Sequence, residues 1–175
     1  MQSLVPLALA LLLAAPLATL AQGHAHVHGV AKMDIAVDAK KITVSFETPL
    51  DNLVGFERAP RTDSERQRVD QAVARLRAGD EMFKFDPAAG CKMAGVELTS
   101  AVLKLGQAEA APKDGHAELE AEWQFDCADA SRAAFVDVGL FAFNQLKRVQ
   151  LQLALPKAQL KRELKRPNQR IVLGP

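Results

Sequence analysis

Polar and apolar residues alternate with a period of two through much of this chain. Ile42, Val44 and Phe46 take turns with Thr43, Ser45 and Glu47, the signature of a strand with one face buried. Met33 to Val37 precedes it, and Asp38-Ala39-Lys40 between the two runs predicts a turn, so the pair reads as a hairpin that Pro49 ends. A longer alternation puts His116, Glu118, Glu120 and Glu122 on one face and Ala117, Leu119, Ala121, Trp123 and Phe125 on the other. Val149, Leu151, Leu153 and Leu155 alternate with Arg148, Gln150 and Gln152 in a further strand. Val96 to Leu105 is apolar and β-compatible, Gly106 to Gly115 reads as a polar loop, and an edge strand is expected near Ile171 to Leu173.

One stretch follows the helical period instead. Val69, Ala72, Val73 and Leu76 recur at i, i+3, i+4 and i+7, behind Thr62-Asp63-Ser64-Glu65, which has capping-box spacing. A hydroxyl and a carboxylate three residues apart satisfy amides that the first helical turn leaves without partners. The pattern predicts a helix over about 63–78, ended by Gly79. Asp129 to Phe143 fits helix and strand alike. The sum is an expected α+β fold: a mainly antiparallel sheet with one well-defined helix and a short second helix.

Composition narrows the class. A length of 175 residues supports one domain, and 22 Lys+Arg against 21 Asp+Glu leave no basic stripe of the kind that releases counterions from nucleic-acid phosphates. With one Trp and no Tyr, the core has to come from aliphatic residues and eight Phe. Met1 to Ala21 carries no charged side chain; Leu7 to Ala15 is continuously apolar, and Thr19-Leu20-Ala21 has the small-x-small pattern of a cleavage site. This run reads as an export signal, with residues 22–175 as a single domain. A membrane span takes about 20 apolar residues, and Pro6 and Pro16 interrupt this shorter one, so no stable insertion is expected after cleavage. Export in turn frames Cys91 and Cys127 as a disulfide pair in an oxidising compartment. The competing reading, a pair of metal-binding thiolates, lacks Cys-x-x-Cys spacing.

The chemistry concentrates in histidine. Three of the four fall within five residues: His24, His26 and His28. Imidazole is the commonest metal ligand, and two rings alternating along a strand lie on one face about 6.7 Å apart, within reach of one ion. The third joins only if the chain bends. The plain alternative is a solvated, chemically idle chain end. Cleavage after Ala21 would also create the terminus Gln22-Gly23-His24, whose amine, two amides and imidazole form a square plane suited to Cu(II) or Ni(II). Cyclisation of Gln22 would abolish it. His116 shares a face with Glu118 and reads equally well as a ligand or as part of a solvated sheet face. No nucleophile elbow or glycine-rich phosphate loop is present, so an enzyme is not expected.

Several blocks carry a resemblance. They are His26-Val27-His28-Gly29-Val30-Ala31, then Pro49-Leu50-Asp51-Asn52-Leu53-Val54-Gly55-Phe56-Glu57 with Ala59-Pro60, Ala89-Gly90-Cys91, Gly115-His116-Ala117-Glu118, Cys127-Ala128-Asp129 and Arg148-Val149-Gln150. Together they resemble the ZrgA-type periplasmic zinc-binding proteins, and the Asn-Leu-Val-Gly-Phe-Glu block is the most specific. The resemblance implies a periplasmic protein that binds Zn(II) and assists a zinc ABC importer or buffers zinc. By position it implies His26, His28, Glu57 and His116 as ligands. Two departures stand out: Arg58 replaces a histidine usual in the family, and Gln107 to Asp114 lacks the family's His- and Asp-rich loop. Both imply reduced zinc capacity, with a periplasmic protein-interaction domain as the alternative function.

Overall fold

The structure is a computed structural model and describes residues 27–107 and 117–173. In chain order its elements are β1 (Val30–Asp38), β2 (Lys41–Pro49), α1 (Asp51–Val54), α2 (Asp63–Arg77), α3 (Gly79–Met82), β3 (Phe83–Phe85), β4 (Lys92–Thr99), β5 (Glu118–Asp126), β6 (Phe135–Val138), β7 (Arg148–Leu155), β8 (Ala158–Lys165) and β9 (Arg170–Val172). Six strands form one sheet in the order β4-β5-β2-β1-β7-β8, and β3-β6-β9 form a second. Neighbours run antiparallel except β1 and β7, which pair in parallel with Ile35 opposite Leu153.

This corrects the α+β expectation. Among the described residues, strands take 46% and helices 23%, so the fold is β-rich, with nine strands in two sheets and three helices. Two of the three helices are four residues long. The stretch 129–143, which fits helix and strand alike in sequence, breaks into two 3₁₀ turns, Ala130–Arg132 and Leu140–Ala142, with β6 between them. Val136 and Val138 alternate inward from β6, and β-branched residues stand more freely on a pleated strand than on a helix.

The alternation places the core. Met33 and Ile35, Val44 and Phe46, Leu119 to Phe125 at alternate positions, and Leu151 and Leu153 all point to the same buried face of the large sheet. Helix α2 lays Val69, Ala72 and Leu76 into the same core. Its capping box forms: Thr62 Oγ1 accepts from the Glu65 amide at 3.2 Å, and Glu65 Oε2 accepts from the Thr62 amide at 3.4 Å. At its far end, the Trp123 indole N–H donates to the Leu76 carbonyl at 2.7 Å, satisfying one of the groups a helix end leaves open. Cys91 and Cys127 are joined in a disulfide at the end of the sheet where β4 starts and β5 stops.

Candidate metal centre

The opposite end of the sheet holds His28, Asp51 and Glu57. Here β1 starts, β2 stops, and α1 follows immediately. Asn52 on α1 is fully buried and uses its carboxamide three times. Its Oδ1 accepts from the Gly29 amide at 2.6 Å, and its Nδ2 donates to the Val30 carbonyl at 2.8 Å and to Thr48 Oγ1 at 2.9 Å. The peptide groups beside His28 are thereby tied to α1. Gly29 has φ 82°, a left-handed conformation that disfavours any side chain, which lets the chain turn from His28 into β1.

Gly55 makes the second turn. It closes α1 in the same left-handed region, its amide donating to the Asp51 carbonyl at 2.8 Å. The chain then folds back so that the Glu57 carboxylate meets the imidazole: His28 Nε2 lies 3.1 Å from Glu57 Oε1, and His28 Nδ1 lies 3.6 Å from Asp51 Oδ2. The imidazole is 62% exposed, whereas Asp51 and Glu57 are 20% and 16% exposed. Two recessed carboxylates therefore face one accessible ring.

This donor set suits zinc. In a tetrahedral shell with bonds of about 2.0–2.2 Å, a nitrogen and an oxygen ligand sit about 3.3 Å apart, close to the His28–Glu57 separation. Metal-bound imidazoles usually give their second ring nitrogen to a carboxylate, and Asp51 stands on that side of His28. The pair supplies half a shell. Among the described residues, no group of three or more His, Cys, Asp or Glu side chains is disposed to hold a metal ion.

Arg58 faces the other way. Its guanidinium grips Glu65 through two hydrogen bonds of 2.9 and 2.7 Å and lies 5.0 Å over the Phe56 ring. The Arg58 contact, and next the Arg61 amide at 2.6 Å, pull the Glu65 pKa from 4.5 to about 2. A cation that cannot ligate zinc is thus neutralised within the helix cap, and Glu57 alone of the two neighbours turns to His28.

A model of the ZrgA family zinc uptake proteins matches residues 25–173. This chain belongs to the ZrgA family. No curated protein matches it. The ZrgA match runs from before β1 to just beyond β9, so it takes in both sheets and the His28 corner.

Of the ligand positions that the ZrgA resemblance implies, the structure brings His28 and Glu57 together. His24, His26 and His116 lie outside the described residues, as do the apolar leader Met1 to Ala21 and the Gln22-Gly23-His24 terminus. Cys91 and Cys127 are bonded to each other, not set as paired thiolates. The sequence alone assigns no role to Asp51 or Asn52, although Asn52 opens the most specific ZrgA block and Asp51 directly precedes it. An Asp-Asn pair behind Pro49, with Gly55 three residues on, was the available signal of a short capped turn.

Proposed function

We propose that this protein is an exported, periplasmic Zn(II)-binding accessory of zinc uptake, which holds the ion at His28 and Glu57 and either passes it to a zinc ABC importer or buffers it. The observation that carries this reading is the 3.1 Å approach of His28 Nε2 to a recessed Glu57 carboxylate, with Asp51 on the far side of the ring. Family membership supports zinc as the cargo. The uncharged leader supports export, and the disulfide suits an oxidising compartment. By resemblance, His26 and His116 supply the rest of the shell. The exposed ring leaves the ion reachable by an acceptor, as a delivery or buffering role requires. The role is binding, without catalysis.

Isothermal titration of the mature, tag-free protein with Zn(II) tests this, repeated with Cu(II) and with His28→Ala and Glu57→Gln. Sub-micromolar zinc binding that His28→Ala abolishes and Glu57→Gln weakens is the expected result. Zinc binding indifferent to both substitutions would move the site elsewhere. Copper uptake without zinc uptake would point to the Gln22-Gly23-His24 terminus, and no uptake of either ion would leave a protein-interaction domain as the better reading.

A further inference from the structure

We infer that Asn52 is the positioning residue of the His28–Glu57 site, an inference that rests on the zinc-binding reading above. Three observations carry it. Asn52 is fully buried on α1, and its carboxamide is engaged by two other segments, the entry to β1 and the end of β2. The groups it grips are the amide of Gly29 and the carbonyl of Val30, the first peptide units beyond His28. The element that carries it also carries Asp51, and its left-handed end at Gly55 leads directly to Glu57. One amide therefore fixes the spacing between the ring and both carboxylates before any ion arrives.

The chemistry of the side chain is specific to this task. A carboxamide offers an acceptor and two donor hydrogens from one planar group, which matches an N–H on one side and a carbonyl and a hydroxyl on the other. A carboxylate of the same shape accepts from Gly29 but has nothing to donate to Val30 or Thr48. Preset ligands bind a cation without the cost of ordering the chain first, so releasing His28 weakens the site while leaving every ligand in the sequence.

The test compares Asn52→Asp with Thr48→Val in the full mature chain, by two readouts. In the metal-free proteins, nuclear Overhauser contacts between the His28 ring and the Glu57 side chain report ring placement, and amide dispersion reports the fold. Zinc titration then reports affinity. Asn52→Asp is expected to keep the dispersion of the sheet, lose the His28–Glu57 contacts and weaken zinc binding by about 10–100-fold, with the loss of a hydrogen bond that orients a metal ligand as the guide to magnitude. Thr48→Val removes one hydrogen bond of the same amide but leaves its grip on Gly29 and Val30, and is expected to keep both the contacts and the affinity. Contacts that survive in folded Asn52→Asp, or equal loss in Thr48→Val, overturn the inference. If Asn52→Asp does not fold, Gly29→Ala disturbs the same bond from its other end and carries the same expectations. A wild type that takes up no zinc would defeat the zinc reading, whereas the metal-free contacts would still decide the role of Asn52.

Discussion

Two regions of this molecule each join distant segments through one buried polar side chain, and they are otherwise opposites. At one, the Trp123 indole N–H reaches the carbonyl of Leu76, and its ring packs among aromatics, with the Phe83 ring at 4.8 Å in an edge-on contact and Phe46 at 6.2 Å. At the other, the Asn52 carboxamide makes three hydrogen bonds beside an open rim that carries Asp51, Glu57 and the exposed ring of His28. Burial of a large aromatic contributes several times what a single hydrogen bond adds in net terms. The first region therefore sets how stable the fold is, and the second sets where charged ligands stand. If that division holds, stability and zinc affinity should respond to different substitutions.

The largest effect is expected at Trp123. Trp123→Ala removes the most voluminous fully buried side chain and is expected to cost about 3–5 kcal/mol in urea unfolding. Zinc affinity of the protein that remains folded should not change. A parallel loss of affinity under folding conditions would break the comparison, because the two regions would then be coupled through the sheet.

Next comes the disulfide. It closes a loop of 36 positions, for which the chain-entropy account gives about 3–4 kcal/mol, so the Cys91→Ser/Cys127→Ser pair should lower the denaturation midpoint by a corresponding amount. The bond lies at the Lys41 end of β2, where the Cys127 amide donates to the Lys40 carbonyl, while His28 lies by the Pro49 end. Nine residues of strand separate these ends by roughly 27 Å. Zinc titration of the double variant should match the wild type, which sharpens the division along the length of one strand.

How much of this was legible in the sequence follows the same division. The strands that bury one face, at 42–46, 117–125 and 149–155, announced themselves by alternation, and the capping box at Thr62 and Glu65 marked the start of α2 to the residue. Strand β8 did not, because at the edge of the sheet only Leu164 of its eight residues is buried, and its charged side chains resemble a loop. The second sheet was invisible as a sheet. Its strands are three or four residues long and join Phe83–Phe85, Phe135–Val138 and Arg170–Val172 across long stretches of chain, which no local period can report. Strand β9 matches the edge strand expected near Ile171 to Leu173, whereas β3, β6 and β8 turn the expected α+β domain into a β-rich one. At the site, the sequence points to His28 and Glu57 but not to Asp51 or Asn52. Their roles depend on two left-handed turns that bring residues 23 apart in sequence into hydrogen-bonding contact.

The helix cap offers a smaller, pH-dependent test. The Glu65 pKa is held below its ordinary value, chiefly by Arg58, so its ionised form is stabilised in the folded state. That contribution is fully present above the ordinary value of 4.5 and is lost as pH falls toward about 2. Glu65→Gln should therefore flatten the dependence of the melting temperature on pH within that window and leave the dependence above it unchanged. Asp137 and Glu163 are also lowered, by Arg170 and Lys165 first, and continue to contribute acid sensitivity in the variant. The difference between the two proteins isolates the cap. An unchanged profile would show that Arg58 and Glu65 are not paired in solution and would free Arg58 to act at the neighbouring His28 site.

The smallest expected change in stability is the most informative. His28 is mostly exposed and contributes no packing to the core, so His28→Ala in the metal-free protein should move stability by no more than about 0.5 kcal/mol. With zinc present the two proteins should diverge. An ion that binds only the native state stabilises it by about 2.7 kcal/mol at a hundredfold excess over its dissociation constant, and His28→Ala should lose that increment. A thermal shift series with and without zinc reads both effects at once. If the variant keeps the zinc-induced shift, the ion sits on other residues, and the rim beside Asn52 is only a corner of the fold. If the shift disappears with the ring while the metal-free melting temperature stays, the molecule keeps its stability at Trp123 and its chemistry at His28.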